Sequence, residues 1–222
     1  MKNQTLIKFT QIIILVSLYS CDSNENNNVL KLISNDSLLS ERYILTGVKP
    51  GYKNSYRKEF KYTVSTYKYA YDLDYDLDTL ENGFKDFQLR FWLGHSLAKE
   101  RQILIIRSVN NVWSSDLYRY YWGEKKQIVS KNIKPKHNLK TIVNQLYEKG
   151  LFDIKDANEV DGYECGGGAD GITYDIEIAT PTKYRLITYC ELEPYNQQFT
   201  EVNTIKEITE LLEKEFGFRI TR

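Results

Sequence analysis

Residues 171–190, with the sequence GITYDIEIATPTKYRLITYC, decide the fold class of this chain. Apolar and polar residues alternate along two arms, and the segment TPTK at 180–183 joins them. Alternation with a period of two is typical of a strand that is buried on one face, and two such strands around a short turn predict an antiparallel hairpin. We therefore expect a hairpin in the C-terminal third of the chain.

Helices are predicted on both sides of this hairpin. Asn138 can cap a first helix, and Gly150 lies just beyond its last turn. A second helix is predicted from about residue 200 to residue 216, where Thr204 and Glu207 have the spacing of a capping box. The apolar residues at helical spacing are Leu139, Ile142, Val143, Leu146 and Tyr147 in the first helix and Val202, Ile205, Ile208, Leu212 and Phe216 in the second. Residues 138–218 thus follow the order helix, hairpin, helix.

A β-rich region at residues 40–135 precedes these elements. The stretch from Tyr62 to Leu77 alternates clearly, and four further β segments read FQLRFWL, QILIIRSV, LYRYYWG and KQIVSKNI. Because strands and helices do not alternate along the chain, a doubly wound or barrel fold is not expected. The sequence predicts one α+β domain over residues 29–222, with an antiparallel β-sheet and two packing helices in the C-terminal part.

The N-terminal segment has the features of an export signal. Lys2 and Lys8 accompany an apolar stretch, Ile12 to Leu18, that is shorter than the about 20 residues of a membrane span. The next residues, LYSC at 18–21, resemble the lipobox of bacterial lipoproteins. This resemblance implies that residues 1–20 are cleaved, that Cys21 is acylated with diacylglycerol and a fatty acid such as palmitate, and that residues 21–28 form a polar tether. The implied location is a membrane, with the outer membrane or cell surface favoured over the inner membrane.

Cys165 and Cys190 are the two cysteines that remain besides Cys21. An even number in an exported protein predicts a disulfide, which at this loop length stabilises by roughly 3 kcal/mol. Two buried free thiols are the alternative. Removal of residues 1–20 leaves 28 basic and 30 acidic residues, a net charge of −2. Phosphate binding needs concentrated basic charge, and none is expected from this balance, so we expect no nucleic-acid partner.

Four aspartates in the segment YDLDYDLD form the one acidic constellation that we retain. Asp72, Asp74, Asp76 and Asp78 point the same way from a regular strand. The simplest interpretation is a solvated face opposite basic residues, while a cation site or a basic partner are the alternatives. His95 and His137 lack ligand spacing, so we expect no His or Cys metal site and no cofactor.

Other motifs that could carry chemistry lack the required context. Gly166, Gly168 and Gly171 have dinucleotide-fingerprint spacing, but a strand follows them instead of a helix. GHSLA at 94–98 resembles a nucleophile elbow with Ser96 as the nucleophile, but the strands and helices expected around such an elbow are missing. The paired acids Asp175 and Glu177, or Glu191 and Glu193, suggest the two carboxylates of a glycosidase, but alternating acids are ordinary on a strand. The aromatic residues Trp92, Trp113, Tyr118, Tyr120, Tyr121 and Trp122 leave glycan stacking open, although aromatic residues of strands are more often core.

The order of elements from residue 138 to residue 218 also resembles the C-terminal part of uncharacterised lipoproteins of the Bacteroidota. The resemblance rests on DG, YDIEI, YR and a glutamate-rich helix, and it implies no activity. No catalytic set is visible in the sequence. We expect a lipid-anchored envelope protein that acts as a non-catalytic binding or structural module, with an envelope protein or a glycan as partner. An envelope or glycan hydrolase and an immunity-type protective lipoprotein are the alternatives.

Overall fold

The computed structural model describes residues 77, 80, 83–95, 100–121, 126–163, 172–181, 183–190 and 197–218. These residues form six strands, two α-helices and one 3₁₀-helix. In chain order they are β1 (Phe87–His95), β2 (Glu100–Val109), β3 (Val112–Tyr121), β4 (Lys126–Ser130), α1 (Leu139–Glu148), the 3₁₀-helix Ala157–Glu159, β5 (Ile172–Ala179), β6 (Tyr184–Cys190) and α2 (Thr200–Phe216). The architecture confirms the α+β prediction.

All six strands belong to one antiparallel sheet in the order β4-β3-β2-β1-β5-β6. The predicted hairpin is confirmed, because Ile176 of β5 pairs with Ile187 of β6 and the amide of Thr180 donates to the carbonyl of Lys183 at 2.9 Å. Strand β1 pairs with β2 on one side and with β5 on the other. It therefore joins the meander of β1 to β4 to the C-terminal hairpin.

One face of the sheet packs on the two helices, and we call it the helix face. The core there combines alternate strand residues with the apolar stripe of each helix, and each fully buried large side chain contributes about 1.5–3 kcal/mol. Its members include Phe87, Leu89, Phe91, Leu104, Ile106, Leu117, Ile176, Ile178 and Ile187 from the strands and Ile142, Val143, Leu146, Val202, Ile205, Ile208 and Leu212 from the helices. The predicted helical stripes are therefore the ones that the structure buries.

Both helices begin where the sequence predicted, but only one of the two predicted N-terminal caps is correct. Asn138 caps α1 as predicted, since its side chain accepts from the amide of Thr141 at 2.8 Å. The capping box predicted at Thr204 and Glu207 is wrong. Helix α2 begins at Thr200, as predicted, so Thr204 lies inside the helix, where its hydroxyl donates to the carbonyl of Thr200 at 3.0 Å. Burial of Val202 in the core draws this first turn into the helix.

Gly83 lies where the chain crosses the β5–β6 turn, and its replacement should be costly. Its φ is +89°, and a Cβ there would stand 2.7 Å from the carbonyl oxygens of both Thr180 and Pro181. Gly83→Ala should therefore combine the left-handed penalty of about 1–2 kcal/mol with a backbone clash. Gly162 has a φ of +76° with nothing within 4 Å of the added Cβ, so Gly162→Ala is the matched control. Urea unfolding should show a clearly larger loss for Gly83→Ala, and equal losses would contradict the clash.

Candidate functional site

Most of the site residues that the sequence predicted lie outside the described residues. Cys190 ends β6 opposite Thr173, and Leu77 is the one described residue of the predicted strand from Tyr62 to Leu77. The disulfide, the lipidation site and the aspartate face therefore stay predictions. The predicted site residues outside the described ranges are Cys21, Cys165, Asp72, Asp74, Asp76 and Asp78. The residues of the other motifs that also lie outside these ranges are Ser96, Trp122, Gly166, Gly168, Gly171, Glu191 and Glu193.

The sheet face opposite the helices carries a buried polar group that we call the Glu177 cluster: Glu177, Arg90, Trp92 and Tyr184. Glu177 Oε2 accepts from Trp92 Nε1 at 2.7 Å and lies 3.7 Å from Arg90 Nη1, while Oε1 accepts from the Tyr184 hydroxyl at 2.9 Å. Arg90 and Glu177 are each 2% exposed. These contacts join side chains of β1, β5 and β6 across the face.

Neighbouring groups complete and cover this face. The Gln88 amide, with its oxygen turned to Arg90, accepts from Nε at 2.8 Å. Asp175 accepts from the Thr188 hydroxyl at 2.7 Å. Leu77 packs against the apolar group of Trp92, Ile103 and Ile105, and Leu80 packs with Ala179, Tyr184 and Leu186. The acids Asp175 and Glu177, which looked ordinary in the sequence, are thus interior residues of the fold.

Burial raises the pKa of Glu177 above its ordinary value, although Arg90 and the hydrogen bonds from Trp92 and Tyr184 lower it. A carboxyl with a raised pKa is the kind of group that enzymes use as a general acid. Here both carboxylate oxygens already accept hydrogen bonds from side chains of the sheet. The arrangement therefore fixes three strands to one another.

The raised pKa predicts how Glu177 affects stability with pH. Because the folded state binds the proton more tightly than the unfolded state, this contribution is fully present below the unfolded pKa, near 4.5, and is lost as the pH rises through the folded value. Glu177→Gln removes the titration. The unfolding free energy of the wild type minus that of the variant should thus fall as the pH rises from about 4 to about 8. Glu210→Gln, at an exposed carboxyl of α2, is the control, and a difference that rises with pH would contradict the expectation.

The aromatic residues considered for glycan stacking serve the packing of both faces. Trp92 is buried and donates to Glu177. Tyr118 and Tyr120 pack partly buried against the cluster of Trp92, Ile103 and Ile105. Trp113 lies on the helix face, with its ring 5.8 Å from that of Phe87. Trp92 thus follows the expectation that strand aromatics are core, while Trp113, Tyr118 and Tyr120 are partly buried against the two clusters.

The outer edge of β6, at one end of the sheet, is covered by a neighbouring loop. Asp156 accepts from the backbone amide of Thr188 at 2.8 Å, and the Tyr189 hydroxyl donates to the carbonyl of Lys155 at 2.6 Å. Arg185 donates to the carbonyls of Phe152 and Ile154. Residues 151–163, which we call the capping loop, therefore cover the β6 edge. Capped edges protect a sheet from pairing with other chains.

The outer edge of β4 is open among the strands that the structure describes. The carbonyl of Ser115 accepts from the amide of Ile133 at 2.9 Å, which shows that odd-numbered residues of β3 turn their backbone groups toward β4. Their partners in β4 are even-numbered, as with Ile128 opposite Arg119. Because hydrogen-bonded and non-bonded pairs alternate in an antiparallel ladder, Gln127 and Val129 turn their N–H and C=O groups outward.

Apolar and basic side chains surround this edge. Ile128 and Val129 are 37% and 38% exposed, although both are large apolar residues. Lys131, Lys134 and Lys136 follow and are exposed. We call β4 together with these three lysines the basic edge. From residue 125 to residue 140 the sequence holds six lysines and no acid, so the expectation that basic charge is nowhere concentrated is wrong for this stretch.

The chain that carries these lysines is held in place by several hydrogen bonds. Asp116 accepts from the amide of Asn132 at 2.9 Å, and the Ser115 hydroxyl donates to the carbonyl of Ile133 at 2.7 Å. Near its end, His137 Nδ1 lies 2.9 Å from Glu215 Oε1 of α2. Because the backbone is fixed, the lysines extend from a rigid support.

The lysine-rich stretch of the basic edge is visible in the sequence, but the net charge of the whole chain does not reveal it. Acids elsewhere balance the lysines, so the total near zero conceals the run between residues 125 and 140. The Glu177 cluster had a weaker signal, namely Arg90 within the mainly apolar segment FQLRFWL and Glu177 between two isoleucines of ITYDIEI. Pairing Arg90 with Glu177 requires knowledge of which strands are neighbours in the sheet.

Metal and membrane-spanning features are not found in the part of the chain that the structure describes. No three His, Cys, Asp or Glu residues there are grouped so that they could hold a metal ion. No helix among the described residues has the length and apolar character needed to cross a bilayer. No protein-family model matches the chain, and no curated protein is significantly similar to it.

Proposed function

We propose that this protein is a lipid-anchored cell-envelope protein whose α+β domain acts by binding a partner. The anchor is inferred from the lipobox-like LYSC at 18–21, and the binding role from the basic edge. One observation carries the binding role: among the residues that the structure describes, the sheet is capped at β6 and open at β4, and exposed apolar and basic side chains lie on β4 and on the residues that follow it. Exposed strand edges are sites where other chains add.

The buried charges support the same proposal over the hydrolase alternative. A hydrolase of the acid type needs carboxyl groups that reach its substrate. Glu177 and Asp175 are buried and accept hydrogen bonds within the sheet, and Glu215 accepts from the amide of His137. These carboxylates contribute to folding. A binding role requires suitable side chains and backbone groups on the surface, and the basic edge provides them there.

The intact mass of the protein extracted from its own membranes, with and without reduction, tests the anchor. An acylated chain that starts at Cys21 is expected, and Cys21→Ser should release the protein from the membrane fraction. A gain of two hydrogens on reduction would add the predicted disulfide between Cys165 and Cys190. An unmodified chain that starts elsewhere would overturn the anchored location.

A further inference from the structure

We propose that the basic edge binds an extended, acidic segment of a partner protein, which adds to the sheet as a strand beside β4. This inference deepens the proposed function by naming the partner chemistry. The added strand would hydrogen-bond to the outward N–H and C=O groups of Gln127 and Val129. Its acidic side chains would meet the lysines that follow β4.

Backbone geometry favours a strand as the occupant. Gln127 and Val129 lie in a regular ladder with β3, so their outward groups have the spacing that another strand matches. Ile128 and Val129 sit on opposite faces of that strand, and each offers an exposed apolar surface. An added strand would therefore cover apolar area on both faces while it satisfies the backbone groups between them.

Charge selects the kind of strand. Lys131, Lys134 and Lys136 are exposed beside the edge, and no acid occurs between residues 125 and 140. A second copy of the chain would bring the same lysines to the contact, and like charges at close range repel. An acidic partner gains attraction and faster association instead. Edge lysines thus exclude self-pairing and admit a strand of opposite charge.

An anionic membrane surface would also attract the lysines, but it fits the edge less well. Headgroup attraction requires only basic side chains near a bilayer. It leaves the outward backbone groups of Gln127 and Val129 without strand partners, and it makes no use of the ladder register. The open backbone edge therefore favours a peptide. Loss of one outward N–H group should weaken the binding of a peptide strand but not the attraction of the lysines to a membrane.

Fluorescence anisotropy on the full chain, extracted in detergent, tests the inference. The probe is a labelled, end-blocked octapeptide in which glutamate alternates with valine, and the comparison peptide has lysine in place of glutamate. The acidic peptide should bind at least about tenfold more tightly. Amide hydrogen exchange at Gln127 and Val129 should slow when it binds, because these amides become hydrogen-bonded.

Two variants separate the backbone and charge contributions. Val129→Pro removes one outward N–H, at an edge position where proline is tolerated, and should weaken binding about tenfold or more. Replacement of Lys131, Lys134 and Lys136 by glutamate should weaken it to a similar degree. The matched control places glutamate at Lys85, Lys155 and Lys214, which are exposed elsewhere, and should stay within about twofold. Thermal unfolding of each variant confirms that it folds.

Several outcomes would overturn the inference. Absence of peptide binding, or binding that Val129→Pro leaves unchanged, excludes strand addition. The protein is also reconstituted into vesicles of phosphatidylcholine alone or mixed with phosphatidylglycerol. If anionic lipid by itself slows exchange at Gln127 and Val129, the edge serves the membrane and not a peptide. If the protein does not enter neutral vesicles, this result contradicts the lipid anchor and not the strand addition. The peptide titration in detergent then still tests whether the basic edge binds a strand.

Discussion

Replacement of Arg90 by methionine should lower the free energy of unfolding by about 3–5 kcal/mol near neutral pH. Arg90 is buried beside Glu177, with Nη1 3.7 Å from Oε2. Its loss leaves a carboxylate in the interior without its counter-charge, and a buried unpaired charge is among the most costly defects in a fold. Urea unfolding followed by circular dichroism measures the change.

The pH dependence and a second variant identify the cause of this loss. Arg90 lowers the pKa of Glu177, so Arg90→Met should raise that pKa further, and the fall of stability with increasing pH should continue to a higher pH than in the wild type. Arg90→Met combined with Glu177→Gln removes the stranded charge and should recover most of the loss. Lys85→Met, which removes an exposed charge, should change stability by less than about 0.5 kcal/mol. A double variant no more stable than Arg90→Met would show that packing, and not charge, dominates.

Local patterns were sufficient to predict the elements of this fold. Alternation in ITYDIEI and YRLIT requires only neighbours in sequence, and TPTK supplies the turn, so the hairpin could be predicted. Asn138 could be identified as a cap because capping acts within one turn. The bounds of α2 were also predicted, but its capping box was not correct. Thr204 has the right local spacing, but burial of Val202 against distant residues places Thr204 inside the helix and not at its start.

The candidate sites depend on contacts that sequence reasoning does not supply. Glu177 and Trp92 are separated by 85 residues, and the hydrogen bond between them follows from β1 lying next to β5. The basic edge likewise exists because β4 is the last described strand on its side, a property of strand order and not of the segment KQIVS. The sequence shows which strand segments contain charged residues. The strand order determines which of these charges are buried and which lie beside the edge of β4.

Replacement of Arg185 by methionine should cost about 3–4 kcal/mol and open the capped edge of the sheet. Arg185 is 9% exposed, and its guanidinium donates to the carbonyls of Phe152 and Ile154. A hydrogen bond to a charged group contributes about 1.5–3 kcal/mol, and its loss leaves a buried carbonyl without that donor. Both lost bonds tie the capping loop to β6, so the loss should loosen the loop as well as lower the unfolding free energy.

The amide of Thr188 reports whether the loop has loosened, because Asp156 of that loop accepts from it. In Arg185→Met, hydrogen exchange at Thr188 should speed up more than exchange at Ile176 in the sheet interior, and sedimentation should show concentration-dependent association through the exposed edge. Lys155→Met removes an exposed charge from the same loop and should change neither measurement. If stability falls while Thr188 exchange follows the rest of the sheet, Arg185 supports the core alone. The asymmetry between a capped and an open edge would then rest on Asp156 and Tyr189, whose contacts with the strand and loop do not require the guanidinium.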